Sequence, residues 1–310
     1  MVKKEYKIGV CIDPHLMERN PRCRLDHFLE SVLSKLEYIA KNNDYVIIAG
    51  DLFHIHNNGT LFFNVVHTLF NKYKGKWHAI PGNHDIFNRN LSALNRTTLG
   101  SLYYTGVLDL HTTGWDLCGL HFEPCLVDQN VKSIPVDVDN TNILIGHKFF
   151  ENGFAPEESL TKEEIRYLGY KLVFLGHDHK PHEDEFIGSS TIIRMGSLTR
   201  IDTQEYNKDR DIVYYQIRTT GDGEFEYSRE IVPFLPSIKC YLEEAYQHMC
   251  AASTGKKEVS FVQIGDVLAK FVNRSTGTNS LDSTLRRLNT PEESITDIKW
   301  KHELAGIQYT

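Results

Sequence analysis

Tyr45-Val46-Ile47-Ile48-Ala49-Gly50-Asp51-Leu52-Phe53-His54 is the stretch on which the fold turns. Its first five residues form a short apolar run that reads as a strand. A glycine closes the run, and an aspartate emerges at its carboxyl end. Four other motifs follow the same plan, each where a predicted strand stops: Asp13-Pro14-His15, Gly82-Asn83-His84-Asp85, Gly146-His147 and Gly176-His177-Asp178-His179. Together they supply Asp, Asn and His, the residue types that hold metal ions side by side.

The segments between these motifs set the architecture. Tyr6 to Ile12 reads as a buried strand. A helix is predicted from Asp26 to Lys41, with Leu25, Phe28, Leu29, Val32, Leu33, Leu36 and Ile39 at helical spacing, and Asn42-Asn43-Asp44 ends it. A second amphipathic helix covers Leu61 to Tyr73, and Trp77 to Ile80 is the third strand. Strand, helix and strand in alternation imply a mainly parallel sheet. Further strands are expected at Trp115 to Phe122, Asn142 to Ile145, Leu172 to Leu175, Thr191 to Arg194, Asp211 to Ile217 and Tyr227 to Val232. Thr161 and Glu164 form a capping box for a short helix that Gly169 stops. Thr219 to Gly223 is a turn cluster. The fold class predicted is α/β, an αββα sandwich of two sheets with helices outside. It spans residues 1–235, and 236–310 form a small helical C-terminal extension with helices at 238–249, 261–273 and 281–288.

Bulk properties exclude several classes. The chain has 310 residues, 41% of them hydrophobic and 24% charged, an ordinary globular composition. No run approaches the ~20 apolar residues of a membrane span. Asp13 interrupts the first apolar run, which is too short for a signal-peptide core, so a cytoplasmic location is expected. Six scattered cysteines without a C-x-x-C pair exclude a disulfide framework and a zinc ribbon, and read as buried thiols. A formal net charge of −7 speaks mildly against indiscriminate nucleic-acid binding. Arg19, Arg22 and Arg24 after the first motif, and Arg89 and Arg96 after the third, read either as a solvated face or as phosphate-positioning groups.

The chemistry follows from where the motifs stand. Open α/β sheets bind ligands beyond the carboxyl ends of their strands. In an extended chain residues i and i+2 point alike, so Asp13 and His15 are expected to grip one cation together. Glycines before Asp51, Asn83, His147 and His177 leave room where no Cβ would fit. A mixed carboxylate and imidazole set suits Mn, Fe or Zn. Two such ions about 3.5–4 Å apart activate water and clamp both oxygens of an in-line displacement, and Asp51 is the candidate bridging carboxylate.

These motifs resemble those of the calcineurin-like metallophosphoesterase superfamily, whose pattern is D-x-H, G-D, G-N-H-[DE], H and G-H-x-H. The resemblance spans roughly residues 6 to 200. It implies that Asp13, His15, Asp51 and His179 bind one divalent metal ion and that Asp51, Asn83, His147 and His177 bind a second, Mn2+ foremost, with Fe2+ or Zn2+ as alternatives. It implies that His84 is a catalytic histidine outside the metal shell, oriented by Asp85. The Asp-Arg-Gly of the protein Ser/Thr phosphatases is missing after Asp51. Gly50-Asp51-Leu52-Phe53-His54 instead resembles the SbcD-type DNA repair exonucleases, in which the histidine at the position of His54 assists attack on the DNA backbone. Gly196-Ser197-Leu198-Thr199-Arg200 is similar to a segment of the same group.

That resemblance implies DNA ends or single strands as substrate and 3′ to 5′ polarity; the C-terminal helices read either as docking an SMC-like ATPase partner of the SbcC type or as closing the fold, and Leu61 to Tyr73 either as a homodimer interface or as core packing. Residues 237–310 are short for a capping domain plus a docking segment, so a compact version is expected, in the host cytoplasm if viral. A phosphodiesterase or phosphatase for a small nucleotide or cyclic nucleotide is the alternative. A non-catalytic module is disfavoured, since no ligand of the pattern is missing. His56 reads as incidental, and His67, His78, His111, His121 and His182 as structural or surface residues.

Overall fold

The computed structural model describes residues 4–21, 26–151, 153, 155–201 and 210–233. In chain order its first elements are β1 (Tyr6–Cys11), α1 (Phe28–Asn42), β2 (Tyr45–Ala49), α2 (Thr60–Lys72), β3 (Trp77–Ile80), α3 (Thr98–Tyr104) and β4 (Asp109–Leu110). Then come β5 (Trp115–Leu117), β6 (Leu120–Cys125), β7 (Ile143–His147), β8 (Phe149–Phe150), β9 (Ser159–Leu160) and α4 (Lys162–Leu168). The last are β10 (Leu172–Gly176), β11 (Glu185–Ile187), β12 (Ser190–Ile193), β13 (Ile212–Thr219) and β14 (Phe225–Val232). The helices expected beyond residue 236 lie outside the described residues, as do Arg22 and Arg24.

The two-sheet sandwich expected from the sequence is the fold observed. One six-stranded sheet runs β14-β13-β1-β2-β3-β4, with β1 to β4 parallel and β13 antiparallel to β1. The other runs β11-β12-β10-β7-β6-β5, parallel in its four central strands and antiparallel at both edges. β8 and β9 form a small parallel pair apart from both.

Strand alternation divides the apolar residues between two interiors. Ile47 and Ala49 of β2 face inward with Ile8, Val10 and Ile80, and meet Phe122, Ile145 and Phe174 of the second sheet. Val46 and Ile48 point the other way, into a layer closed by Val32, Leu36 and Ile39 of α1 and Phe62, Val66 and Phe70 of α2. On the far side, Leu144, Val173 and Leu175 pack against Ile165 and Leu168 of α4. The central strands are therefore apolar on both faces, as buried parallel strands require. The α2 helix buries Phe62, Val66, Leu69 and Phe70, whereas Leu61 and Val65 are exposed.

The ends of α4 follow their expected chemistry. Thr161 and Glu164 make the reciprocal capping box of α4, and Gly169 ends it in the left-handed conformation at φ 73°. The strand expected across Trp115 to Phe122 is instead a hairpin of β5 and β6. Cys118 and Gly119 form its two-residue turn with φ of 52° and 76°, the backbone twist that a tight hairpin needs. Cys11 and Cys125 are buried free thiols, and Cys118 is partly exposed. Among the described residues no helix is long and apolar enough to cross a membrane.

Ile47 has no exposed surface and lies between the sheets, two residues from the end of β2. Ile47→Ala is expected to lower unfolding free energy by about 3 kcal/mol, read from urea denaturation.

Candidate metal centre

Three parallel strands of the first sheet deliver Asp13 and His15, Asp51, and Asn83 to Asp85 just beyond their carboxyl ends. In the second sheet β7 ends on His147, and His177 and His179 follow β10. The two strand sets bring these side chains to one place.

Asp13 and His15 do converge, but not by strand alternation. Both have left the extended conformation, with φ of 49° and 48°, and Asp51 matches them at 45°. Non-glycine residues held there cost about 1–3 kcal/mol each and persist where surrounding structure imposes them. A short backbone ladder does so. The N–H groups of His15 and Leu16 donate to the carbonyls of Asp51 and Leu52 at 2.9 and 2.8 Å, and His54 N–H donates to Leu16 at 2.9 Å. The glycines are required by space. A Cβ on Gly50, at φ +84°, would lie 2.2 Å from His147 Nδ1, and one on Gly82 would lie 2.1 Å from Asp51 Oδ1.

Asp51 stands between two clusters. Its Oδ2 is 3.5 Å from His15 Nε2 and 3.3 Å from His147 Nε2, while Oδ1 accepts the His84 N–H at 2.9 Å. On one side Asp13, His15 and Asp51 offer donor atoms within 4.8 Å of one another, and His179 Nε2 lies 2.9 Å from His15 Nε2. On the other, Asp51, His147 and His177 form a second such group, and Asn83 Oδ1 lies 3.0 Å from His147 Nε2. Three residues of each expected set group together, with His179 placed beside His15 and Asn83 beside His147. A third group, His15 with His54 and His84, adjoins them, drawn from three of the motifs though not expected as a ligand set.

The donor set fits divalent cations. Neighbouring ligands at ~2.1 Å from an octahedral ion lie ~3.0 Å apart, the spacing of the His15–His179 and Asn83–His147 pairs. Asp13 Oδ1, His15 Nδ1 and His54 Nδ1 are buried without a hydrogen-bond partner. Burial pushes the Asp13 carboxyl up to about 8 despite the nearby His147. Burial, with the Asp51 charge, pushes Asp85 up to about 7. Burial also opposes ionisation of Asp51, but His147 and His15 hold it below the usual carboxylate range. His147 is carried up to about 9 by Asp51 and Asp13 against the effect of burial. Burial drives His15 well below its ordinary value and His177 down to about 4, neighbouring imidazoles adding to both shifts. Buried carboxylates and imidazoles here compete for a few protons, and a cation satisfies both kinds of group at once.

His84 and Asp85 are placed differently from the expected pairing. His84 Nδ1 lies 2.7 Å from the carbonyl oxygen of His54, and its ring stacks on that of His54 at 5.4 Å and 25°. The carbonyl therefore holds the imidazole tautomer. The Asp85 carboxylate is fully buried and accepts three backbone N–H groups, from Phe53 at 2.8 Å, Gly82 at 2.9 Å and Leu52 at 3.2 Å. It staples the loop after β2 to the loop after β3 rather than orienting His84.

Of the expected phosphate-binding arginines, Arg19 is exposed. Arg89 is paired with Glu158 at 2.6 Å and Asp128 at 3.2 Å. Glu158 itself escapes a sequence reading, although its Oε2 is 3.0 Å from His177 Nε2, because no motif surrounds it. Among the described residues, three further histidines have local partners. His78 and His111 pair at 2.9 Å, His111 stacking on Trp115 at 4.1 Å, and His182 meets Asp178 at 2.9 Å.

The calcineurin-like phosphoesterase family matches residues 6–181 of the chain. No curated protein matches it. Among solved structures, the crystal structure of TT1561 of Thermus thermophilus aligns with 13% identity and a TM-score of 0.42, over 73% of this chain and 99% of that one.

Asp85→Ala is expected to cost about 3 kcal/mol in denaturant unfolding, because three backbone donors lose a buried acceptor. His84→Ala, at a partly exposed ring, is expected to cost far less in the same measurement.

Proposed function

The chain belongs to the calcineurin-like phosphoesterase family, hydrolases of phosphoesters that use divalent metal ions, and from that premise we propose that it is a dinuclear-metal phosphodiesterase acting on DNA. The observation that carries the dinuclear reading is the placing of one Asp51 oxygen against His15 of one cluster and His147 of the other. In this reading Asp13, His15, Asp51 and His179 hold the first ion, and Asp51, Asn83, His147 and His177 the second. Mn2+ is the proposed native ion, with Fe2+ or Zn2+ as substitutes that the same donors accept. When bound, the ion pair supplies charge neutralisation for the phosphoryl oxygens and a nucleophile at neutral pH.

The chain's own residues supply the rest. With Nδ1–H donating to the His54 carbonyl, His84 keeps Nε2 for the reaction. As imidazolium it hands that proton to the leaving oxygen, the general-acid role. His54, stacked on His84 and edge-on to His15 at 5.5 Å, lines the same side of the centre. Its position after Gly50-Asp51-Leu52-Phe53 is what favours a nuclease, and DNA repair, recombination or replication is the corresponding role.

A small nucleotide or cyclic nucleotide is the second reading. It is favoured by Arg89, whose guanidinium is held by two carboxylates instead of standing free for a polyphosphate backbone.

Labelled linear duplex, circular and single-stranded DNA in Mn2+ separate the two. Release of mononucleotides from linear DNA is expected. Turnover of a cyclic nucleotide with every DNA left intact would overturn the nuclease reading. His84→Ala is expected to lower kcat by roughly 10²–10⁴-fold with metal stoichiometry unchanged; wild-type turnover by that variant would remove His84 from the mechanism.

A further inference from the structure

We propose, resting on the metal centre just described, that Glu158 is a positioning residue which fixes the His177 ring through Nε2, and that Arg89 and Lys148 hold Glu158 in place.

His177 Nε2 lies 3.0 Å from Glu158 Oε2. An imidazole whose Nε2–H donates to a carboxylate presents the lone pair of Nδ1 on its other side. Partners of this kind set the tautomer and orientation of metal-ligating histidines and raise their basicity. The residue is held on two further sides. Phe149 packs against its ring with centroids 4.0 Å apart, and its backbone N–H donates to Asp13 Oδ2 at 3.0 Å. Glu158 is the one carboxylate that meets its outer nitrogen among the described residues.

Two cations clamp the loops that carry this carboxylate. On the outside, Arg89 Nη1 bridges Glu158 Oε1 at 2.6 Å and Asp128 Oδ1 at 3.2 Å. On the inside, the buried Lys148 ammonium donates to the carbonyls of Val127 at 2.5 Å and Glu157 at 3.1 Å. The two side chains grip adjacent positions of the same two loops, 127–128 and 157–158. Lys148 is also the residue after His147, so its clamp is anchored in the centre itself. Pairing of Phe149–Phe150 with Ser159–Leu160 continues the attachment on the far side of Glu158. Arg89 follows the β3 motif, and its bridge therefore ties the first sheet's loop to loops of the second. Its role here is to hold Glu158, not to bind substrate phosphate.

Titration calorimetry of Mn2+ into metal-free protein tests this without using activity. Wild type is expected to show two binding events. Glu158→Ala is expected to weaken one by about 10–100-fold and leave the other unmoved. Glu158→Gln keeps an oxygen that accepts from Nε2–H, and is expected to lose less at the same event; it also carries the test if the alanine variant fails to fold. Arg89→Ala is expected to weaken the same event again. In 15N-histidine-labelled, Zn2+-loaded protein, His177 should show metal on Nδ1 and a proton on Nε2. The proposal is overturned if neither Glu158 variant moves either event, if both events weaken equally, or if His177 binds through Nε2. Wild type that takes up no divalent ion overturns the metal-centre reading itself, a distinct outcome.

Discussion

A carboxylate with almost no access to water stands between two sheets, and the rest of the structure is arranged to keep it there. Asp51 presents one oxygen to the His84 N–H and the other to His15 and His147, which come from different sheets. Burying an anion is expensive unless hydrogen bonds and opposite charge compensate it. The compensation is built from strand ends, so it is only as good as the register of β1, β2, β3 and β7. Gly50 and Gly82 contribute by lacking a side chain, since a Cβ at either would collide with His147 or with Asp51 itself.

The neighbouring carboxylates divide the work by what they face. Asp13 and Asp51 face imidazoles and carry the candidate ion-binding oxygens. Asp85 faces three backbone N–H groups and carries the loop geometry. Residues adjacent in sequence, His84 and Asp85, are thus placed for separate work, His84 against the His54 carbonyl beside the centre and Asp85 within the loop framework. The His84 ring takes its orientation from the His54 carbonyl, which makes the loop after β2 responsible both for the shared carboxylate and for the candidate proton donor.

Much of this is legible in the sequence, and the failures have physical causes. β2 and β3 can be read to the residue because short apolar runs between polar breaks leave little choice of ends. The capping box at Thr161 is equally clear, since it needs only side chains three residues apart. Alternation at Asp13 and His15 reaches the right convergence by the wrong route, because it assumes extended backbone and both residues are left-handed. The hairpin at Cys118-Gly119 reads as one strand, because apolar residues alternating with polar ones on both sides of the turn look like one continuous strand whose partner is its own continuation. Asp85 looks like a partner of His84 because adjacency in sequence says nothing of which way a tight turn points a side chain. Glu158 is invisible for the opposite reason: it reaches His177 across a separation of 19 residues, by a contact that only folding creates.

The centre is made of two halves, and the full ligand set needs both: Asp13, His15 and Asp51 group within the first, while the second group joins Asp51 to His147 and His177. β1, β2 and β3 bring Asp13, His15, Asp51 and Asn83; β7 and β10 bring His147, His177 and His179. What holds the halves in contact is the layer of Ile47, Ala49, Ile80, Ile145 and Phe174, whose apolar side chains offer no ligand atom. Ala49 belongs to that layer while its carbonyl lies 3.2 Å from His147 Nδ1, so the same residue packs the sheets together and orients a histidine of the centre. Docking of the sheets and assembly of the ligand set are therefore one event. Ions bound by such a set stabilise only the docked state, because the donors are scattered in the unfolded chain. The buried carboxylates oppose that docking in their charged forms and the apolar layer drives it, and bound cations would turn the opposing contribution into a favourable one.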